Sequence, residues 1–418
     1  MCLTGFTGSA KRRAGGFVLV NIAISATVLL AIIGLAIDTG YLQLVKTRMQ
    51  AAADAAAVGG VQEIKLNGAA NVVTAAKADA ALNGFTDGVN SVTVTVNSPP
   101  ASGSYTSSQT GVEVIVSQNV GTLFMQLLNT AAVDVRARAV ARQGPGTNCL
   151  FALSPSAASA FSATGGVNVN IAGGVMVDSN SATALSVTNG AVVTAASITV
   201  VGNYPNPTKS GASITPTPVT GASAVADPLA YVTPPPATGA CLQTNYSIGN
   251  GKSATLSPGI YCNGISIAGG ATVGMKAGNY ILRGGGLTVS NGATLSGANV
   301  TFYNTQATGY AYGAISLLGG VNVQLTAPTT GSLAGILFFQ DRSVVSSLVN
   351  TFSNGSTSTF TGSLYFPSTA LSYTGGASGS YTIIVAKTVS FSGGVTVKND
   401  YSSLPGGSPI LGNATLSE

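Results

Sequence analysis

The sequence predicts a membrane-spanning N-terminal helix and a small α+β module, followed by a large all-β domain. Three observations carry this. Phe17 to Ile37 contain no charged residue. Residues 91–141 contain strings in which apolar and polar side chains alternate. From residue 143 onward the chain turns glycine-rich and charge-poor, and short apolar runs alternate with Gly-Gly or Asn-Gly pairs.

As a helix, the 21 uncharged residues from Phe17 would span ~31 Å, the thickness of a bilayer's hydrocarbon core. Lys11, Arg12 and Arg13 precede them, and the next charge is Asp38. The positive-inside rule then puts residues 1–16, a basic leader, in the cytoplasm, the helix over 17–39, and everything after about residue 40 outside. A cleaved secretory signal has an apolar stretch of only ~7–15 residues and a small-x-small exit. A buried core helix rarely stays uncharged for so long. A retained single-span anchor fits best, leaving Cys2 in the leader.

Beyond the span, Leu42, Val45, Met49, Ala52 and Ala56 recur at helical spacing in an alanine-rich stretch. So small a face suits another helix or the protein's own domain, and spacing alone does not separate the two. A second alanine-rich helix is predicted over Val72 to Asn83. Ser91 to Asn97, Gly111 to Ser117 and Val133 to Ala141 alternate as half-buried strands do. Pro99-Pro100 marks a loop, and Leu123 to Leu128 a short helix. Residues 40–142 therefore read as an α+β module with a small antiparallel sheet.

Residues 143–418 read as one outer domain. Gly165-Gly166, Asn189-Gly190, Gly269-Gly270, Asn291-Gly292, Gly319-Gly320 and Gly393-Gly394 separate short apolar strands at loose periods of ~20–30 residues, the signature of a solenoid. A parallel β-helix is favoured, with Ser266 outward between Ile265 and Ile267, and Leu287-Thr288-Val289 alternating likewise. Antiparallel hairpins in a β-sandwich are the alternative, since Asn-Gly turns suit them too. Residues 203–240 carry prolines at 205, 207, 216, 218, 228, 234, 235 and 236 and read as a long loop or linker.

Composition excludes much chemistry. The chain has 418 residues, 54 of them glycine, 17 Lys+Arg, 12 Asp+Glu, and no histidine or tryptophan. Catalytic triads, His-bearing zinc sites and haem on histidine are ruled out. The cysteines (2, 149, 241 and 262) form no close zinc-binding pair. Cys241 and Cys262 bracket one short segment and are predicted to form a disulfide in an oxidising compartment, although two buried free thiols remain an alternative. Cys149 has no evident partner. Asp178, Asp227, Asp341, Asp400 and Glu418 are dispersed, and Asp341-Arg342 is the one adjacent acid–base pair, a pattern that more often marks a solvated turn. No catalytic residue, metal ligand or cofactor is assigned. Basic residues form no stripe beyond 11–13, so no nucleic-acid partner is expected.

Two resemblances add to this. Arg12-Arg13-Ala14-Gly15-Gly16 followed by Phe17 resembles a type IV prepilin leader, which is cut after glycine before an apolar helix. The resemblance implies a cleavage between Gly16 and Phe17. However, Asn21 stands where that family has a glutamate, so cleavage is left open. Gly34-Leu-Ala-Ile-Asp38-Thr-Gly40 and Lys46-Thr-Arg-Met-Gln-Ala-Ala-Ala-Asp54-Ala-Ala-Ala57 resemble the N-terminal module of TadG-like and TadE-like proteins of the Tad/Flp pilus system, closely over residues 13–60 and loosely to about 142, a module pilin-like in general style.

Some TadG-like proteins carry a von Willebrand-type domain with a D-x-S-x-S metal site. Neither Asp178-Ser-Asn-Ser-Ala182 nor Asp341-Arg-Ser-Val-Val345 completes it, and the outer domain stands in that domain's place. The resemblance implies a minor pilin-like accessory protein of the bacterial inner membrane. The outer domain's lack of histidine, clustered carboxylates and a completed metal motif points to a structural or adhesive role there and not to an enzyme. The protein's partners would be other Tad/Flp pilus proteins, the inner membrane and surface glycans. The alternatives are a ligand- or glycan-binding surface protein and, more remotely, a carbohydrate-active enzyme.

Overall fold

The structure, a computed structural model, describes residues 14–67, 69–106, 108, 110–353, 358–374, 380–404 and 407–418; the leader residues 1–13, with Cys2 and the Lys11-Arg12-Arg13 cluster, lie outside the described residues. The chain divides into two units. One runs to Glu63 and adds Ala70–Arg142 and Thr415–Glu418; the other comprises Ile64–Ala69 and Gln143–Ala414. The outer unit is thus an insertion in the smaller one. Thr415–Glu418, expected with the rest of residues 143–418 in the outer domain, belong to the first unit.

In the first unit, α1 (Ala14–Asn67) is one helix of 54 residues. It changes character along its length. From Val18 to Ile37 its large apolar side chains are exposed, whereas Met49, Ala52, Ala53, Ala56, Ala57 and Val61 are fully buried. The alanine face is covered by the unit's own sheet and by α2 (Val72–Leu82). A Cβ on Gly60 would stand 3.0 Å from Val112 Cγ1 and 3.4 Å from Ala76 Cβ, so the small residues serve close approach within the unit. Of the two readings of that face, packing against its own domain is the one realised over residues 49–61.

The sheet is antiparallel over β1 (Val92–Asn97), β2 (Gly111–Gly121) and β3 (Ala132–Pro145). Beyond β3 lies the C-terminal strand Leu411–Leu416. The chain end is fastened there: Val140 N–H donates to Glu418 O at 2.7 Å, and Ser417 N–H to Val140 O at 2.8 Å. Val92 and Val94, Val112, Val114 and Val116, and Ala137, Ala139 and Ala141 alternate onto the buried face. The short helix expected over Leu123 to Leu128 is a 3-10 turn, Met125–Leu128.

The second unit is all-β. Among the described residues its strand ladders run parallel, so antiparallel hairpins are not how these strands pair. Strands stack in the order Gln243–Ile248, Gly259–Ile267, Gly278–Arg283, Val300–Thr305, Ile336–Gln340, Thr359–Tyr373, Thr382–Phe391, and then Asn148–Ala152, Asn168–Val177 and Val192–Val200. The chain therefore enters mid-stack, builds to one end, crosses to the other, and builds back. Gly146 N–H donates to Ile410 O at 2.8 Å, which brings both ends of the unit together.

Apolar side chains fill the interior, including an aromatic file Tyr246, Tyr261, Tyr280, Phe302 and Phe338 with ring centroids 6.3, 5.9, 5.5 and 5.1 Å apart. Corners keep step as well: Gly251 N–H donates to Gly269 O at 2.9 Å, Gly270 N–H to Asn291 O at 3.0 Å, and Gly292 N–H to Gly319 O at 3.1 Å.

The proline-rich segment is not a free linker. Nine layer steps of ~4.8 Å make ~43 Å between the two ends of the stack, well within reach of residues 219–243 at ~3.3 Å each. It lies along the side as a strap. Leu229 and Val232 are buried against Phe339, Tyr365 and Ile383. Arg342 donates to Leu229 O at 2.6 Å and to Val232 O at 3.1 Å, and Tyr231 Oη donates to Pro409 O at 2.7 Å. Proline suits such a strap, which runs beside the sheets and needs no ladder donor.

Candidate functional site

The prepilin-type positions lie on α1. Gly16 and Phe17 fall in its first residues, and Asn21 is exposed on the apolar half. Asp38 ends that half. Its carboxylate accepts backbone N–H groups from Leu123 (3.0 Å), Phe124 (2.8 Å) and Met125 (2.6 Å), holding the loop between β2 and β3 to the helix. Three successive donors at the start of a 3-10 turn are unsatisfied groups that a carboxylate caps well. One turn earlier Gly34 lies under Phe124, where a Cβ would meet the ring's Cγ at 2.6 Å. Gly34 and Asp38 both belong to the motif singled out in the sequence, yet their joint role in seating this loop is visible only in the fold.

A charged network closes the other face of the sheet. Glu113 has no exposed side-chain surface and pairs with Arg138 Nε at 2.6 Å. It also accepts from Ser102 Oγ (2.6 Å), Asn97 Nδ2 (2.8 Å) and Ala101 N–H (3.0 Å). Burial raises its pKa, but these hydrogen bonds outweigh burial and bring it to about 2. Arg138 reaches on to Glu418 at 2.9 Å, which fixes the chain's end. Glu113 and Arg138, 25 residues apart in sequence, thus form a tight structural pair that linear spacing does not reveal.

In the outer unit, Cys241 and Cys262 form a disulfide with Cα atoms 5.8 Å apart, joining the end of the strap to strand Gly259–Ile267. Cys149 is buried and free; burial raises its thiol pKa, and its Sγ lies 3.4 Å from Tyr401 Oη. Each acid is engaged structurally. Asp178 accepts Val225 N–H of the strap at 3.0 Å. Asp227 accepts a hydrogen bond from Tyr365 Oη and lies 3.7 Å from Arg342 Nε. Asp341 accepts from Thr305 Oγ1 at 2.6 Å and Ser343 N–H at 2.9 Å. Asp400 accepts Ser402 N–H at 3.1 Å. The adjacent pair Asp341-Arg342 therefore splits, its two side chains serving different partners. Among the described residues no group of three or more His, Cys, Asp or Glu converges as a metal site would require.

The most regular surface feature is a file of hydroxyls. Ser247, Ser266, Thr288, Ser316, Thr351, Ser372, Ser390, Ser162 and Ser186 occupy matching register positions in successive layers. At ~4.8 Å per layer the file is ~38 Å long. All but Ser247 are half-buried, most of them between inward apolar neighbours such as Ile265 and Ile267 or Leu371 and Tyr373, while Thr351 follows the buried Asn350. At one end a cavity of about 170 Å³ is lined by Asn245, Ser247, Asn263, Ser266 and Thr288. The sequence carried this signal as a recurring apolar–Ser/Thr–apolar triplet. In the sequence only Ile265-Ser266-Ile267 and Leu287-Thr288-Val289 stand out, because the intervals between triplets vary and two of the nine positions stack out of chain order.

Residues 17–63 match the Tad family model, described as Flp pilus-assembly TadE/G-like. The matched segment is a TadE/G-like domain. It coincides with the apolar half of α1 and most of its alanine-rich half. None of the curated proteins and none of the solved structures matches this chain. Within the TadE/G-like segment, Asp38 and Gly34 anchor the β2–β3 loop, and the alanines from Ala52 to Ala57 seat the helix on its own sheet. The segment's apolar stretch is long enough to cross a membrane.

Proposed function

We propose that the protein is a minor, pilin-like accessory component of Tad/Flp pilus assembly, held in the bacterial inner membrane by α1. Its N-terminus is cytoplasmic, and its outer domain is a non-catalytic parallel β-helix with a structural or adhesive role. The observation that carries this reading is the TadE/G-like match falling on a helix whose first half is apolar and exposed. Asn21 supports a minor rather than a polymerising role, since it has no charge to pair with a neighbouring subunit's amine. Parallel pairing between strands 18 to 35 residues apart supports the solenoid reading. Acids committed to strap and loop contacts support a non-catalytic domain. Deleting the gene should reduce pilus number or surface attachment, and reporter fusions after residue 60 should be active only outside the cytoplasm. Normal piliation and adhesion, or glycan cleavage by the purified protein, would overturn the proposal.

A second reading is favoured by the hydroxyl file and the cavity at its end. Surface glycans present rows of hydroxyls, which Ser, Thr and Asn side chains match as donors and acceptors. Adhesion would then follow from binding along this face. Replacing Ser266 and Thr288 with alanine should weaken glycan-array binding while piliation persists; unchanged binding would remove this reading.

A further inference from the structure

The loop between β2 and β3 is unusual for a surface segment. Leu123, Phe124, Leu127 and Leu128 are 65, 41, 81 and 73% exposed. Residues 122–131 contain no charged side chain. Two contacts fix the loop's height along α1. Asp38 accepts three of its backbone N–H groups, and the Phe124 ring lies against Gly34. Gly34 belongs to the uncharged stretch, one turn or ~6 Å before Asp38. If α1 crosses the bilayer, a loop docked at that level cannot stand clear of it.

We infer that residues 123–128 form an apolar finger that enters the headgroup–acyl boundary beside α1 as a second membrane contact. The inference rests on the membrane-anchor reading above. Lipid is the occupant because the finger's exposed side chains continue the exposed apolar surface of α1, where Leu30, Ile33 and Ile37 are 67, 54 and 48% exposed. Interfacial segments of this kind bury apolar side chains ~5–10 Å into the boundary, which matches the docking depth at Gly34. The absence of charge from the loop removes the main cost of entering lipid. Asp38 then has a positioning role: it satisfies backbone donors that would otherwise enter the interface unpaired.

The chain has no tryptophan, so a single introduced tryptophan is a unique depth probe. Full-length Leu127→Trp, Leu30→Trp and Leu82→Trp are reconstituted in phosphatidylethanolamine–phosphatidylglycerol vesicles, with and without bromines on the upper acyl chain. Leu82 ends α2, is 84% exposed, and serves as the aqueous reference. Leu30→Trp reports on the anchor itself. The finger predicts that Leu127→Trp loses most of its emission to bromolipid, as Leu30→Trp does, while Leu82→Trp is quenched only by aqueous acrylamide. Quenching of Leu30→Trp alone overturns the finger and leaves the anchor standing. No lipid quenching at Leu30→Trp removes the anchor and the finger together. Protection of Leu127→Trp from both quenchers would mean a protein cover, which also overturns the proposal.

Discussion

Gly285 and Gly292 offer a matched test of how the outer unit's layers are held. Both have positive φ, +69° and +70°, so alanine at either meets the same left-handed penalty of roughly 1–2 kcal/mol. Their surroundings differ. A Cβ on Gly292 would meet nothing within 4 Å, whereas one on Gly285 would lie 2.2 Å from the Asn263 carbonyl carbon and 2.3 Å from its oxygen. Those atoms are backbone of the neighbouring layer and cannot rotate aside. Forcing them apart adds an overpacking cost of about 1–3 kcal/mol. Gly292→Ala should therefore destabilise by about 1–2 kcal/mol and Gly285→Ala by about 2–5 kcal/mol. At ~2–4 °C per kcal/mol for a unit of this size, the second should melt several degrees lower. Thermal unfolding of the full chain in detergent, followed by tyrosine fluorescence at several scan rates, measures both. Equal losses at the two positions would refute the argument that backbone-to-backbone approach sets the layer spacing there.

Other outcomes follow from the module and the disulfide. Glu113 has its folded pKa lowered from 4.5 to about 2, so its contribution is full above about pH 4.5 and lost as pH falls toward 2. The shift corresponds to about 3 kcal/mol, and denaturant titrations at pH 7 and pH 3 should show Glu113→Gln flattening that loss. Arg138→Ala should cost about 3–5 kcal/mol at pH 7, because it leaves a buried carboxylate without its cation; a negligible change would argue that the pair is solvated. Asp38→Ala should release the β2–β3 loop, read as faster proteolysis between residues 122 and 131 with the rest of the module still protected. Cys241→Ser should lower stability by about 3 kcal/mol in the chain-entropy account of a loop this long, and reductant should reproduce the loss in the unmutated protein but not in the variant.

Much of the module was legible in sequence because its signals are local. Val72–Leu82 and the strands at 92–97, 111–121 and 132–145 fall within a few residues of their expected ends, since helical and alternating periods are fixed by side-chain direction along each segment. The corners at Asn189-Gly190 and Asn291-Gly292 were equally plain, because a left-handed turn needs residues that tolerate positive φ. The apolar stretch and the Gly34–Asp38 motif are local signals too: a helix long and apolar enough to cross a membrane, and a likeness to the TadE/G-like model over residues 17–63, need no tertiary information.

Tertiary structure decided what depends on contacts distant in sequence. Thr382–Phe391 pairs with Asn148–Ala152, so the stack is out of chain order, and the proline-rich segment becomes the strap that this order requires. Parallel neighbours need only matching faces, and many strands here share the same apolar–hydroxyl–apolar pattern, so no local preference selects which pair. The disulfide and the strap's buried Leu229 and Val232 are contacts that accompany the order realised, and none of them is written in a local pattern. Likewise, Glu113, Arg138 and Glu418 become one network only because the chain's last residues return to β3. Composition and period determined the elements; the closing of distant contacts determined their order, the buried charges and the seating of the loop at Asp38.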